Sequence, residues 1–369
     1  MKQFKFVTLS WYIRGHKGHD FAYHSCLQQV AKAISLDVVS YIPISFELKN
    51  LSNNWKKIIR NCKGSFFQFF YRFLDFIWIF RHENKNQGKK IFILEMFNPL
   101  DLLAFTIASA CVQKRKDYTA IIYRYDPLKK GMKGRSILFL SKMIYCLKGK
   151  RFLTFTDSEL ILPTICREIS KSTQILPIPH TSICMKNHRE KTIIKIWWPG
   201  APRENKGLEF VKKIIEEKNN TNKQFSFFLS ENTFQKIPKT EVKVNTLKDG
   251  LPRKEYLFHM QTSHFILLPY ESKEYISNTS GILVESIIAG AIPLVKDESW
   301  LAYELRKFDL HELIIENWKE INFFSNLKIL IEDLVVQKKL LKMKNHYSKF
   351  HSLKNFTNIW RERLNLLCR

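Results

Sequence analysis

The feature that most constrains the fold is a pattern in the second half of the chain, where short continuous apolar runs alternate with segments of helical period. Ile193–Trp198 is followed by Leu208–Glu217, Val242–Leu247 by Arg253–Met260, His264–Pro269 by Gly281–Ala289, and Ile292–Val295 by Trp300–Lys307. Phe225–Leu229 and Leu313–Ile315 read as further strands. A strand that is apolar on both faces must be covered on both, and a parallel sheet between two helical layers does this. The pattern predicts a doubly wound α/β domain whose ligands lie beyond the carboxyl ends of its strands.

The first half repeats the theme less regularly. Phe4–Leu9, Leu36–Tyr41, Ile91–Glu95, Ala120–Arg124 and Phe152–Thr156 read as strands, and Leu27–Ile34 as a helix. Trp55–Phe80 reads as one or two basic, aromatic helices, and the tail from Asn322 as long helices, the last around Phe356–Leu366. Leu176–Arg189 carries Pro177 and Pro179 and few apolar residues, which suits a linker. A chain of 369 residues exceeds what one hydrophobic core serves. The expected organisation is a Rossmann-like domain at 1–180, a second at 190–345, and a last helix at 346–369 able to return to the first.

Lys and Arg number 60 against 34 Asp and Glu, a net +26. Residues 1–190 hold 31 basic and 13 acidic side chains, a net +18, so the excess sits mostly in the first half. Such a field attracts anions: nucleic acid, acidic lipid or a phosphorylated substrate. A compositional bias towards Lys, Ile, Phe and Asn is the alternative account of the excess, though not of its asymmetry. No stacking-motif strand or recognition helix accompanies the charge, so nucleic acid is not an expected partner. Cys26, Cys62, Cys111, Cys146, Cys166, Cys184 and Cys368 form no CxxC pair and lie among apolar residues. They read as buried free thiols of a reducing compartment, with no ligand set for zinc. Met1–Ser10 is strand-like rather than a secretory signal, and Phe66–Phe80 is too short and too charged to span a bilayer. The expected location is cytoplasmic, with peripheral attachment to the inner face of the cell membrane.

Two loops carry the chemistry. In FILLPYESKEYISNTSGILVESIIAGAIPLV (265–295), a buried strand ends at Pro269 and Thr279-Ser280-Gly281 opens a helix that Gly290 ends. A helix opened this way presents unpaired backbone N–H groups and a positive dipole end to a phosphate. Gly281 allows a close backbone approach, and Glu285 is placed to accept from a ribose diol. The same residues also suit a capped helix whose Glu285 is solvated. In WPGAPRENKG (198–207), directly after a strand, Arg203 and Lys206 supply two cations for a diphosphate.

The pattern P-Y…Y…S-G-x-x-x-E-x-x-x-x-G-x-P resembles the donor-binding segment of retaining, family-4-like GT-B glycosyltransferases. That resemblance implies two Rossmann-like domains facing a central cleft. It assigns the donor diphosphate to Arg203, Lys206, Ser280 and Gly281, and the ribose to Glu285. The family often has a second Glu eight residues before the first; Ser277 stands there, with Glu274 three residues upstream. Gly18, His19 and Tyr23 resemble the acceptor-side loop, with His19 as a catalytic candidate. Where the family often has a catalytic His before an acid, this chain has Tyr125, leaving Asp126 as the second candidate. Thr156-Asp157-Ser158-Glu159 and Leu176–His180 resemble the end of the first domain and the crossover. No D-x-D occurs, so the expected chemistry needs no metal and no cofactor beyond the nucleotide-sugar substrate. The expected activity is transfer of a sugar to a glycan or lipid-linked acceptor. The alternative is a sugar-nucleotide epimerase or phosphorylase of the same fold.

Overall fold

The computed structural model describes residues 4–13, 19–47, 52–61, 65–178, 192–199, 202–216, 224–237, 243–271, 275–315 and 323–368. Contacts divide the chain into two compact units, Met1–His180 with Leu353–Arg369, and Thr181–Ser352.

The first unit carries β1 (Phe4–Leu9), β2 (Asp37–Pro43), β3 (Trp55–Ile59), β4 (Lys89–Leu94), β5 (Tyr118–Tyr123), β6 (Phe152–Thr156) and β7 (Gln174–Ile175). They form a parallel sheet in the order β3-β2-β1-β4-β5-β6-β7. Its helices are α1 (His19–Ala33), α2 (Ser65–Asn84), α3 (Pro99–Val112), α4 (Gly131–Lys148) and α5 (Leu162–Glu168). Successive side chains of a strand serve opposite faces. Phe92 and Leu94 join the core under α2, α3 and α4, whereas Ile91 and Ile93 join the core on the other face.

The second unit carries β8 (Ile194–Trp197), β9 (Phe225–Ser230), β10 (Val244–Leu247), β11 (Phe265–Leu268) and β12 (Ile292–Val295), parallel in the order β10-β9-β8-β11-β12. Its helices are α6 (Leu208–Glu216), α7 (Glu231–Phe234), α8 (Arg253–Thr262), α9 (Gly281–Ala289), α10 (Trp300–Arg306), α11 (Phe323–Glu332) and α12 (Leu334–Phe350).

The last helix, α13 (Leu353–Cys368), packs with the first unit. Phe356, Trp360 and Leu364 recur every four residues and are buried. Trp360 lies 4.9 Å from the Phe6 ring and 4.7 Å from the Phe155 ring, and Phe356 meets Tyr23 edge-on. With α1, this helix covers the sheet face that α2–α4 leave open.

Two expectations are corrected. Trp55–Ile59 is an edge strand beside β2, not a helix, and its exposed Lys56 and Lys57 discourage further pairing. The helix that follows begins at Ser65 and turns Phe76, Ile79 and Phe80 into the core, with Phe69 and Phe73 against it. Among the described cysteines only Cys26 is buried; Cys111, Cys146 and Cys368 are exposed and Cys166 is intermediate. An apolar sequence neighbourhood does not bury a residue on the outward face of a surface helix.

Candidate functional site

In the second sheet, β8 and β11 are neighbours whose chains leave towards opposite edges, which makes the point between them the topological switch where α/β sheets take ligands. The two sequence-predicted loops leave these strands at the carboxyl edge and are tied together. Gly207 adopts φ +80, and a Cβ there would stand 2.2 Å from the Pro269 carbonyl oxygen. Only glycine fits so near that backbone. Beside it, the Glu271 amide donates to the Asn205 carbonyl at 3.0 Å.

This contact brings Lys206 to Tyr270. Its Nζ lies 4.8 Å over the Tyr270 ring and 3.3 Å from the hydroxyl. The Ser280 side chain lies beside the Tyr270 hydroxyl, whose pKa burial raises and Ser280 lowers. Ser280 caps α9, accepting from the Leu283 amide at 3.3 Å, and Gly281 is the first helical residue. Burial lowers the Lys206 pKa; nearby Tyr275 opposes the shift, and Arg203 adds to it. A half-buried cation thus stands beside a second cation and the positive end of a helix. That arrangement is costly until an anion arrives.

Glu285, one turn into α9, is buried, which raises its pKa against the pull of Arg253. Its Oε1 accepts from Arg253 Nη2 at 2.5 Å and its Oε2 from the Tyr256 hydroxyl at 2.7 Å. Tyr270 lies close enough to Tyr256 to contribute to the raised pKa of that phenol. Arg203, Lys206, Ser280, Gly281 and Glu285 therefore belong to one connected neighbourhood, joined by Tyr256 and Tyr270. Arg253 and Tyr256 are the functional candidates that sequence reasoning missed. Their signal was a cation and a tyrosine in the first turn of α8. Ser277 is buried, and Glu274 lies outside the described residues.

The first unit's candidates are dispersed. Gly18 lies outside the described residues, and His19 opens α1 with a side chain that is not described. Tyr23 is not a loop residue: it is buried in α1, and among the described residues its hydroxyl has no hydrogen-bond partner. Asp126 caps a short 3-10 turn, accepting from the Leu128 amide at 3.0 Å and from the Thr164 hydroxyl at 3.4 Å. Tyr125 donates to the Phe97 carbonyl.

A cluster not foreseen from the sequence lies at the carboxyl ends of β4, β5 and β6. Arg124 pairs with Glu95 at 2.5 Å and Asp157 at 3.2 Å, and its guanidinium lies 5.8 Å from the Tyr23 ring. Burial pushes the Glu95 carboxyl up to about 7, opposed by Arg124. His24, 3.6 Å from Glu95, is pushed down to about 3 by burial. The available signal was a charged residue immediately following each of three apolar strands. Among the described residues, no three His, Cys, Asp or Glu side chains gather as a metal site requires. No helix among them is long and apolar enough to cross a membrane.

No family model matches the chain, and no curated protein matches it. Solved structures do. Sucrose-phosphate synthase from Thermosynechococcus elongatus is similar at 12% identity and TM-score 0.69, over 98% of both chains. HepE of Anabaena in complex with UDP and glucose is similar at 10% identity and TM-score 0.64, over 98% of this chain and 99% of that one. A UDP-N-acetylglucosamine 2-epimerase is similar at 12% identity and TM-score 0.62, over 100% of this chain and 96% of that one. These likenesses show the fold: α/β, of GT-B type, with two Rossmann-like domains.

Proposed function

We propose that the chain is a glycosyltransferase that moves a sugar from a nucleotide-sugar donor to a glycan or lipid-linked acceptor, without a metal or added cofactor and with retention. The observation that carries this is Lys206, half-buried beside Arg203 and facing the N-terminal end of α9 through Tyr270 and Ser280. A diphosphate between them would satisfy both cations and the free N–H groups of the helix. Arg203 and Lys206 would then stabilise the charge that grows on the leaving diphosphate. Glu285, held by Arg253 and Tyr256, retains lone pairs for the ribose hydroxyls.

The similar HepE structure contains UDP and glucose, so uridine nucleotides head the panel to test. Incubation with a set of nucleotide sugars should give thermal stabilisation by one nucleotide class and slow donor hydrolysis. Absence of both across the panel would overturn the assignment.

The likeness to an epimerase supports a second reading, in which the same pocket isomerises a sugar nucleotide. Isomerised nucleotide sugar without loss of the sugar would favour it. Free nucleotide with the sugar transferred or hydrolysed would favour transfer.

The charge of the first half supports a peripheral location on an anionic membrane, at its inner, cytoplasmic face, where a lipid-linked acceptor would be presented.

A further inference from the structure

Helix α4 (Gly131–Lys148) presents an apolar stripe that no described residue of the first unit covers. Met132, Phe139, Met143 and Leu147 fall within about 80° of arc at 100° per residue. Met132 is 84% and Phe139 64% exposed. The opposite side of the helix holds Ile137, Leu140 and Ile144 in the core, so the helix is firmly seated while its outer stripe stays wet. A surface helix normally places polar residues outward, and here the arrangement is broken by residues of high transfer energy.

The exposed charges of α4 and its flanking turns have one sign. Lys129, Lys130, Lys133, Arg135, Lys150 and Arg151 are exposed on α4 and its flanking turns. Every acidic residue between 65 and 151 is buried: Asp75, Glu83, Glu95, Asp101, Asp117 and Asp126. From a neighbouring element, Glu168 of α5 pairs with Lys142 at 2.9 Å and with Arg167 at 3.0 Å. Within α4 and its flanking turns the positive charge is thus balanced by no exposed acid.

We infer that the outer face of α4 is the surface that docks on an anionic lipid bilayer, its Met132–Phe139–Met143–Leu147 stripe entering the interface and its lysines and arginines lying on the head groups. An apolar stripe flanked by cations, on a helix anchored by its other side, is the chemistry of interfacial helices. A soluble polyanion would use the cations and leave Met132 and Phe139 in water. A second copy of the chain would bring like charges together. This inference rests on the peripheral-membrane reading above and adds the surface. The other basic, aromatic helix of the first unit, α2, turns Phe76, Ile79 and Phe80 into the core.

The test is co-sedimentation of the full chain with vesicles of phosphatidylcholine alone, or mixed with phosphatidylglycerol, at low salt. Wild type should bind the mixed vesicles only. Met132→Glu combined with Phe139→Glu, and separately Lys129→Glu, Lys130→Glu and Lys133→Glu together, should weaken binding at least about tenfold. Phe70→Glu, on exposed α2 surface, should leave it unchanged. Matching thermal unfolding and donor hydrolysis in all variants would show that they are folded. Equal binding by the α4 variants would overturn the inference while leaving membrane attachment standing. Wild type that ignores both vesicles would overturn both, with donor turnover unaffected. Preferential binding to RNA, or dimerisation abolished by the α4 variants, would also overturn it.

Discussion

Lys206 Nζ lies 3.3 Å from the hydroxyl of Tyr270, 64 residues further along the chain, and 4.8 Å above its ring. The phenol holds the ammonium in place and, through Ser280, connects it to the first turn of α9. Lys206→Ala should lower kcat/KM by about 10²-fold, because charge develops on the leaving group. Tyr270→Phe keeps the ring and should cost only about tenfold, the worth of one hydrogen bond. Unchanged steady-state kinetics in Lys206→Ala would remove the residue from the donor site.

Gly207→Ala should damage both stability and donor binding. Its Cβ would meet Pro269 backbone at 2.2 Å, and φ +80 is unfavourable for any side chain. The backbone must move, at a cost of about 1–3 kcal/mol, carrying Lys206 with it. Calorimetry should show a lower Tm together with a weaker nucleotide Kd. A fall in Tm with intact affinity would mean that the loop is merely structural.

Turnover should survive a chelator. Arg203 and Lys206 supply the positive charge that a divalent ion would otherwise bring to a diphosphate. Activity lost in EDTA and regained with magnesium or manganese would contradict this.

Acid should destabilise the fold through its buried histidines. Burial pushes His24 and His351 down from 6.5 to about 3, His346 and Lys307 adding to the shift at His351. Between those values the unfolded chain binds protons that the folded chain refuses, so stability is greatest above pH 6.5 and falls as pH drops towards 3. Glu95, raised to about 7, acts with the opposite sign, losing stability as pH rises from 4.5 to 7. The difference between proteins is therefore the readout. His351→Gln should flatten the acid limb of urea-unfolding free energy by about 1.4 kcal/mol per pH unit. An unchanged slope would show that His351 is protonated in the folded state.

Trp360→Ala should destabilise the first unit by about 3–5 kcal/mol, since the indole fills the space between Phe6 and Phe155. Chemical denaturation would register this as a lower midpoint. A loss below about 1 kcal/mol would mean that α13 contributes little to that core.

The sequence by itself determined the doubly wound sheets and the frame of the proposed donor loop. Strands buried on both faces must be continuously apolar, so β1, β6 and β12 are legible from neighbouring residues alone. The bounds of α9 are equally local: Ser280 caps its start, and Gly290 ends it at φ +75. Lys206, Ser280 and Glu285 could be named because each stands at a fixed offset from a strand or cap. Their partners could not. Arg253 and Tyr256 lie 32 and 29 residues from Glu285 and meet it only through the order in which β10, β9, β8 and β11 assemble. The Glu95–Arg124–Asp157 cluster likewise exists only because β4, β5 and β6 are neighbours. Helix α3 is so uniformly apolar that it carries little periodicity, and the outward stripe of α4 is apolar where an ordinary surface helix would be polar. Which face of a helix meets a sheet, and which stays wet, is settled by packing between distant segments, and local pattern does not encode it.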